Sequence, residues 1–460
     1  MNHRGRDRRG ASHSLRALAL CTVLALVFAA CGSSRRTSNT TGNTGASTPG
    51  GTTPIIDTSN CPAGQDSVGV SGNTITLGTS LPESGQYAPF TAILKGERSY
   101  FNYLNAQGGV EVPKGSGKKY QIKLVDKDDA YDAARTVTNV NSLINDTKVF
   151  SLFNVVGTKN NLGARDTVNS DCVPDLLIAS GAVQWGNTKF PWMLGSELVP
   201  YPLEVRVFVD YLKKNKPNAK IAVLKANDDF GQSYADTLTE LVKGTNLTIV
   251  QTQGYDPESA DVKSAVTSLA ATKADAFLLG ATLLACPSAL SAMGDAGWKP
   301  IVYMSGTCVS KLLLTLAGKS ADGLLTVTPL LDPADPGNAS KPAMQLYVQQ
   351  VKKYSDADVS DGIVAYGWTT AALMAKILEN SPKLTRSSVM ETARNFKDGT
   401  GIGLELPGAT WDTSATDWFL GETFQLITYD ATAGHTKALG PLVNLDGKTA
   451  ELSPQSLLHS

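Results

Sequence analysis

From residue 74 onward, short runs rich in Val, Ile, Leu and Thr alternate with longer stretches whose apolar residues recur at helical spacing. Residues 74–79 read as a strand. Residues 89–107 follow with Ile93, Leu94, Glu97, Tyr100, Phe101 and Leu104 on a helical face, closed by Gly108-Gly109. Residues 120–125 alternate as a strand, and Val137, Val140 and Ile144 share the next helical face. After Pro200 the pattern restarts with a helix carrying Val205, Phe208, Val209 and Leu212. Strands at 220–224, 247–252, 276–279 and 301–304 come next, with helices between them. Such alternation predicts parallel sheets covered on both faces. Two runs predict two sheets, and the roughly 390 residues beyond 72 suffice for two ordinary domains. Residues 340–355 and 361–379 are again helical, and 409–411, 423–429 and 438–443 read as late strands.

Two consecutive apolar runs carry the loops richest in binding groups. Residues 149–156 lead into Gly157-Thr158, and residues 174–179 lead into Ser180-Gly181-Ala182. In an open α/β sheet, ligands settle beyond the carboxyl ends of the strands. Glycine lets a ligand approach the main chain, and Thr158 and Ser180 add hydroxyls, so an anion can be held there without a side-chain cation. Trp185 follows this turn and is placed to wall the crevice.

The first 30 residues carry Arg4, Arg6, Arg8, Arg9 and Arg16 against Asp7, followed by an apolar run from 17 to 30. That run is too short to span a bilayer and has the form of a signal peptide core. It ends Phe28-Ala29-Ala30-Cys31-Gly32, which resembles a lipoprotein signal in which Cys31 is acylated; plain secretion is the alternative. Without those residues the net charge of −1 becomes −5, which excludes a nucleic-acid partner. Residues 31–72 read as a flexible tether. The stretch 32–60 is rich in Ser, Thr, Gly and Asn, a composition that buries no core. As a coil it reaches roughly 30 Å.

Beyond Cys31 there remain Cys61, Cys172, Cys286 and Cys308. An even count in an exported chain predicts disulfides, and the expected pairs are 286 with 308 and 61 with 172. Buried free thiols are the alternative. With no CxxC spacing, no metal site is expected, and no cofactor motif is present. Only His435 and His459 remain past the signal segment, which starves hydrolytic schemes that use a histidine base. There is no G-x-S-x-G, G-x-x-x-x-G-K-[ST] or H-E-x-x-H motif. Gly399 to Gly403 reads as a glycine-rich turn, and Asp128-Asp129 and Asp228-Asp229 as solvated acids capping strand ends.

These residues together resemble the extracytoplasmic solute-binding proteins of the branched-chain amino acid receptor type, the capture components of ABC importers. The marks run in one order over roughly 74–430: Gln86-Tyr87, the helix end Asn105 to Val110, the turn Asp128 to Tyr131, Gly157-Thr158, Val173-Pro174 and Ser180-Gly181-Ala182. Asp229-Phe230-Gly231, Ala296-Gly297 and Ala365-Tyr366 follow. The resemblance implies two Rossmann-like α/β lobes joined by a three-strand hinge and closing on a small molecule. Lobe I is expected at 73–197 and 329–406, and lobe II at 198–328 and 407–460. It also implies that Gly157, Thr158, Ser180, Gly181 and Ala182 hold a ligand carboxylate, with Tyr87 packing from lobe I and Phe230 from lobe II. The partners it implies are a membrane permease and, through lipidated Cys31, the outer face of the cell membrane; the chain is expected to be monomeric.

One departure bears on the ligand. Amino-acid receptors of this type place an acid after the strand equivalent to 301–304, opposite the ligand ammonium, whereas Thr307 aligns here. Thr282 stands where an aromatic is common. A buried ammonium without a carboxylate partner is costly, so the expected ligand is a carboxylate or amide-like metabolite. A ligand sensor with the same lobes stays open as an alternative, and an exported hydrolase is the reading from a different class.

Overall fold

The computed structural model describes residues 55–259, 261–397 and 399–460. The expected signal segment, Cys31 and the first part of the tether lie outside the described residues.

The first sheet contains β1 (Val70–Ser71), β2 (Thr74–Leu81), β3 (Val110–Glu111), β4 (Lys119–Asp128), β5 (Ser151–Phe153), β6 (Asp175–Ile178) and β7 (Met193–Gly195). Its order is β3-β4-β2-β5-β6-β7, with β1 beside β2. The central strands are parallel, while β1 and β3 pair antiparallel at the margins. Every residue of β5 and β6 is buried, as near-continuous apolar runs require when helices cover both faces.

The second sheet contains β8 (Lys220–Ala226), β9 (Thr248–Tyr255), β10 (Ala276–Gly280), β11 (Ile301–Met304), β12 (Leu325–Thr328), β13 (Thr423–Asp430), β14 (His435–Ala438) and β15 (Val443–Asn444). Its order is β14-β13-β12-β11-β10-β8-β9, with β15 also on β13. From β9 to β12 the pairing is parallel; β13, β14 and β15 turn it antiparallel. The two α/β sheets agree with the expected fold class, and the antiparallel margin is an addition to it. The expected strand at 438–443 is instead two short strands, because the Gly440-Pro441 turn interrupts the ladder. At 409–411 there is no strand; Trp411 N–H donates to Gly399 O at 3.0 Å without a continuing ladder.

Three segments carry the chain between the sheets: 196–200, 329–331 and 404–406. The last two run antiparallel, with Leu331 N–H donating to Leu404 O at 2.8 Å and Leu406 N–H to Pro329 O at 3.2 Å. The helices Thr91–Ala106 and Gly362–Asn380 cross at two glycines. A Cβ on Gly96 would lie 2.2 Å from Val364 O, and one on Gly367 would lie 2.1 Å from Ile93 O. This close crossing seats the start of the long helix over the space between the sheets.

Residues 55–72 are folded, in contrast to the expected tether reaching to 72. Ile56 is buried and its N–H donates to Glu391 Oε1 at 2.6 Å. The Cys61–Cys172 disulfide fixes the same stretch to the first sheet's layer. The second expected disulfide, Cys286–Cys308, is also present and ties the loop after β11 to the helix Ala285–Asp295.

Candidate ligand-binding cleft

The carboxyl ends of β5 and β6 do meet at the expected pair of turns. Gly157 takes a positive φ of 104°, which lets the chain turn into the helix Thr158–Ser170. Thr158 Oγ1 and Ser180 Oγ lie 2.8 Å apart, and Ala182 N–H donates to Ser180 Oγ at 3.2 Å. Both hydroxyls are buried. The two expected turns therefore meet as one local structure.

Its seat is taken by the protein itself. The Tyr201 phenol lies close to the Ser180 and Thr158 hydroxyls and to the Gly181 main chain, whose polar atoms favour its ionised form. Burial nevertheless lifts that phenol to about 12, so it stays protonated and neutral. Tyr201 N–H also donates to Gly181 O at 2.9 Å. The ring lies so close that a Cβ on Gly181 would fall 2.8 Å from Tyr201 Cε1. Tyr201 in turn meets Phe230 edge-on, with centroids 5.1 Å apart, and lies 5.2 Å from Tyr234. These are ordinary separations for favourable aromatic pairs.

The remaining expected residues pack around this aromatic group. Tyr87 stacks on Tyr131 at 4.0 Å, and Tyr131 lies against Gly157. Thr282 N–H donates to Tyr255 Oη at 3.3 Å, while Thr307 Oγ1 lies 2.9 Å from Ser305 Oγ and donates to Thr282 Oγ1 at 3.3 Å. Trp185 donates its Nε1–H to Ser180 O at 3.0 Å and contacts Gly195. It braces the turn from behind, beside Trp418 and Phe419, and does not line the main cavity. Asp129 is fully buried, contrary to the solvated role expected for it; Ser80 and Thr136 hydroxyls and Tyr131 N–H donate to its carboxylate.

The main cavity lies toward the crossing segments. Its empty space is about 1150 Å³, part of it continuous with solvent. Both sheets' layers contribute walls: Phe90, Ile93 and Tyr366 from the first, and Val309, Leu314 and Ile427 from the second. Of the expected binding residues, Thr307 lines it; Ala179 and Val156, at the ends of the two central strands, reach its edge. Tyr366 Oη bridges Asn154 Nδ2 at 3.0 Å and Ser196 Oγ at 2.9 Å, fixing that wall to the first crossing segment.

One buried acid faces this cavity. Glu204 sits in the first turn of the helix Tyr201–Asn215, and its Oε2 accepts from Tyr303 Oη and Gly306 N–H, both at 3.0 Å. Burial pushes its carboxyl up to about 7, partly offset by those hydrogen bonds. Neither Glu204 nor Tyr201 belongs to any of the sequence motifs, yet both line the cavity. Their signal is faint: Pro200-Tyr201-Pro202 reads as a helix start, and nothing local directs either side chain inward.

Contacts clamp the cleft on two sides. Tyr87 Oη donates to Pro257 O at 3.0 Å, and Gln86 Nε2 donates to Glu258 O. On the other side Ser310 Oγ donates to Asp361 Oδ2 at 3.1 Å, and Lys311 Nζ donates to Ser360 Oγ at 2.6 Å. The structure is thus a closed form with a hinge-side chamber between the two sheets' layers.

A family model described as periplasmic binding protein matches residues 74–433. A Leu/Ile/Val-binding protein homologue of Brucella melitensis is 24% identical over 264 residues; these are 55% of this chain and 66% of that protein, just under two thirds of its length. A branched-chain amino acid ABC transporter protein from Thermus thermophilus, solved with bound valine, aligns with a TM-score of 0.71 at 15% identity, over 82% of this chain and 97% of that one. A fatty acid ABC transporter substrate-binding protein from Thermomonospora curvata aligns with a TM-score of 0.69 at 20% identity, over 85% and 97%. These structural likenesses show the fold, and the matched family model shows the kinship: the chain belongs to the periplasmic binding proteins, extracytoplasmic substrate-binding proteins that are not enzymes.

Proposed function

We propose that this chain is a lipid-anchored, monomeric capture protein that takes a small carboxylate or amino-acid-like metabolite between its lobes and hands it to the permease of an ABC importer. The observation that carries the reading is the chamber walled by both sheets' layers and bracketed by the Tyr87–Pro257 and Ser310–Asp361 contacts. A guest touching both walls favours the closed form through its differential affinity for that form, which is how such a cleft reports occupancy to a partner. Among the described residues no helix is long and apolar enough to cross a membrane. We assign attachment to Cys31, which directly follows the expected cleavage point of the lipoprotein-like signal. The assigned boundaries, lobe I at 73–197 and 329–406 and lobe II at 198–328 and 407–460, belong to the same proposal.

Calorimetry and thermal-shift screening across carboxylates, amides and amino acids test it. At least one compound is expected to release or absorb heat stoichiometrically and raise the melting temperature. Silence across the whole panel sinks the proposal. For the anchor, Cys31→Ser is expected to release the protein from membranes, and retention on the membrane counts against lipid attachment.

A further inference from the structure

Tyr201 and the chamber together narrow the guest. The turns that carry Thr158, Ser180 and the Gly181 main chain already have the Tyr201 ring packed against them: a Cβ on Gly181 would fall 2.8 Å from Tyr201 Cε1. A guest carboxylate would have to expel a buried ring that is packed on both Phe230 and Tyr234. The open space lies elsewhere, behind that ring, and its walls are mainly Leu, Ile, Val, Ala and aromatic carbons.

The charged groups along the lining assign the guest's head. Asp332 is committed to the protein: Oδ2 accepts from Thr436 N–H at 2.8 Å and from its hydroxyl at 2.7 Å, and Oδ1 accepts from Ala334 N–H at 2.8 Å. Glu204 is committed through Oε2 to Tyr303 and Gly306. Lys311 is the single Lys or Arg on the lining. Its ammonium reaches Ser360 Oγ at 2.6 Å and Asp358 Oδ2 at 3.6 Å, and its side chain is 44% exposed. An ammonium has three donors, so it retains capacity for an incoming anion at the rim, while the interior offers apolar surface to the rest of the molecule.

We propose that Tyr201 is the specificity-determining residue of this protein: it fills the hydroxyl cradle, excludes α-amino acids from it, and directs the site to an apolar-bodied monocarboxylate, an acyl or aryl acid, lodged in the hinge-side chamber with its carboxylate toward Lys311. This rests on the binding-protein reading and deepens it.

The test uses the mature chain with its tether, purified through denaturation and refolding to strip carried ligands. Octanoate and benzoate are the probes, with leucine, valine and octanol as comparators. At a hundredfold excess over its dissociation constant, octanoate or benzoate is expected to raise the melting temperature by several degrees, and leucine and valine to leave it unmoved. Ala365→Trp and, independently, Val309→Trp fill the chamber, and each is expected to abolish the shift; Val309 lies on a loop, so its variant stays informative if the helical one misfolds. Lys311→Met is expected to weaken octanoate at least ~10-fold and to leave octanol unchanged. Tight leucine or valine binding that disappears in Thr158→Ala overturns the inference and leaves the binding-protein reading standing. Octanoate binding unaffected by both chamber-filling variants also overturns it. Silence from every acid and amino acid defeats the underlying reading instead.

Discussion

The two halves of the cleft are built in opposite ways. Toward the front, Tyr87 stacks on Tyr131, and Tyr201, Phe230 and Tyr234 pack together, with the Tyr87 hydroxyl bound to Pro257 O and that of Tyr234 to Ser305 at 2.8 Å. Toward the crossing segments, the walls are mainly apolar and face empty space. One region has traded ligand contacts for internal ones, and the other has kept the room. The lesson is that a binding motif at the ends of two strands does not fix where a ligand sits, because a side chain from the next helix can reach the motif first.

The largest expected effect breaks the packed half. Tyr201→Ala removes a buried ring with two aromatic neighbours that also packs against Gly181. It is expected to cost about 3–5 kcal/mol of stability, the usual range for truncating a buried aromatic. Val309→Ala, on the chamber wall, is expected to cost about 1 kcal/mol or less, since its neighbour on one side is already space. Urea denaturation of both variants gives the comparison, and equal losses would erase the distinction between a filled half and an open one.

How much of this was legible in the chain depends on whether a signal is local. The strands ending at Gly157 and Ser180 are readable because continuous apolar runs followed by small residues encode buried parallel strands and tight turns by themselves. The 286–308 disulfide is readable because both cysteines follow consecutive strands, β10 and β11, which pair in register from Ala276 with Ile301. Tyr201 is not readable as a plug: its phenol reaches a turn about 20 residues earlier only after the first crossing segment has been placed. Glu204 escapes for the same reason, meeting Gly306 across a sequence separation of 102 residues. The absence of an acid at 307 is visible in the chain; that Glu204 binds the neighbouring Gly306 N–H is not. The folded stretch 55–72 was obscured because its anchors, Ile56 and Cys61, are isolated in a run of turn-forming residues.

An effect of intermediate size sharpens the contrast from the chamber side through pH. Burial raises the Glu204 carboxyl from its ordinary 4.5 to about 7. Below pH 4.5 folded and unfolded chains both carry the proton, and the group does not affect stability. Between 4.5 and 7 the unfolded chain loses the proton while the folded one keeps it, so stability falls as pH rises, by up to about 3 kcal/mol for this group, and levels off above 7. Asp175, raised to about 8 by burial, and Glu197, raised to about 7, add in the same direction. Glu204→Gln keeps a neutral acceptor for Tyr303 and Gly306 and is expected to flatten part of the decline between pH 5 and 8 in denaturation curves. A slope identical to that of the unaltered protein would show that the chamber wall is wetter than its geometry implies.

The smallest expected effect concerns how the packed half helps hold the clamp shut. Tyr87 contributes two separable things: its ring, stacked on Tyr131 at 4.0 Å, and its hydroxyl, which crosses the cleft to Pro257 O. Tyr87→Phe removes the second and keeps the first. A neutral hydrogen bond of this kind contributes about 1 kcal/mol, and Pro257 O is left to find water when the cleft opens. The closed form should therefore lose about fivefold in population relative to the open one, and a guest that requires closure should bind up to about fivefold more weakly. The melting temperature of the ligand-free protein should change little, because the ring's buried packing is untouched. Calorimetry on the variant separates the outcomes: a modest loss of affinity with the fold intact assigns the front contact to closure, whereas an unchanged affinity places the whole of the clamp on the Ser310–Asp361 and Lys311–Ser360 side.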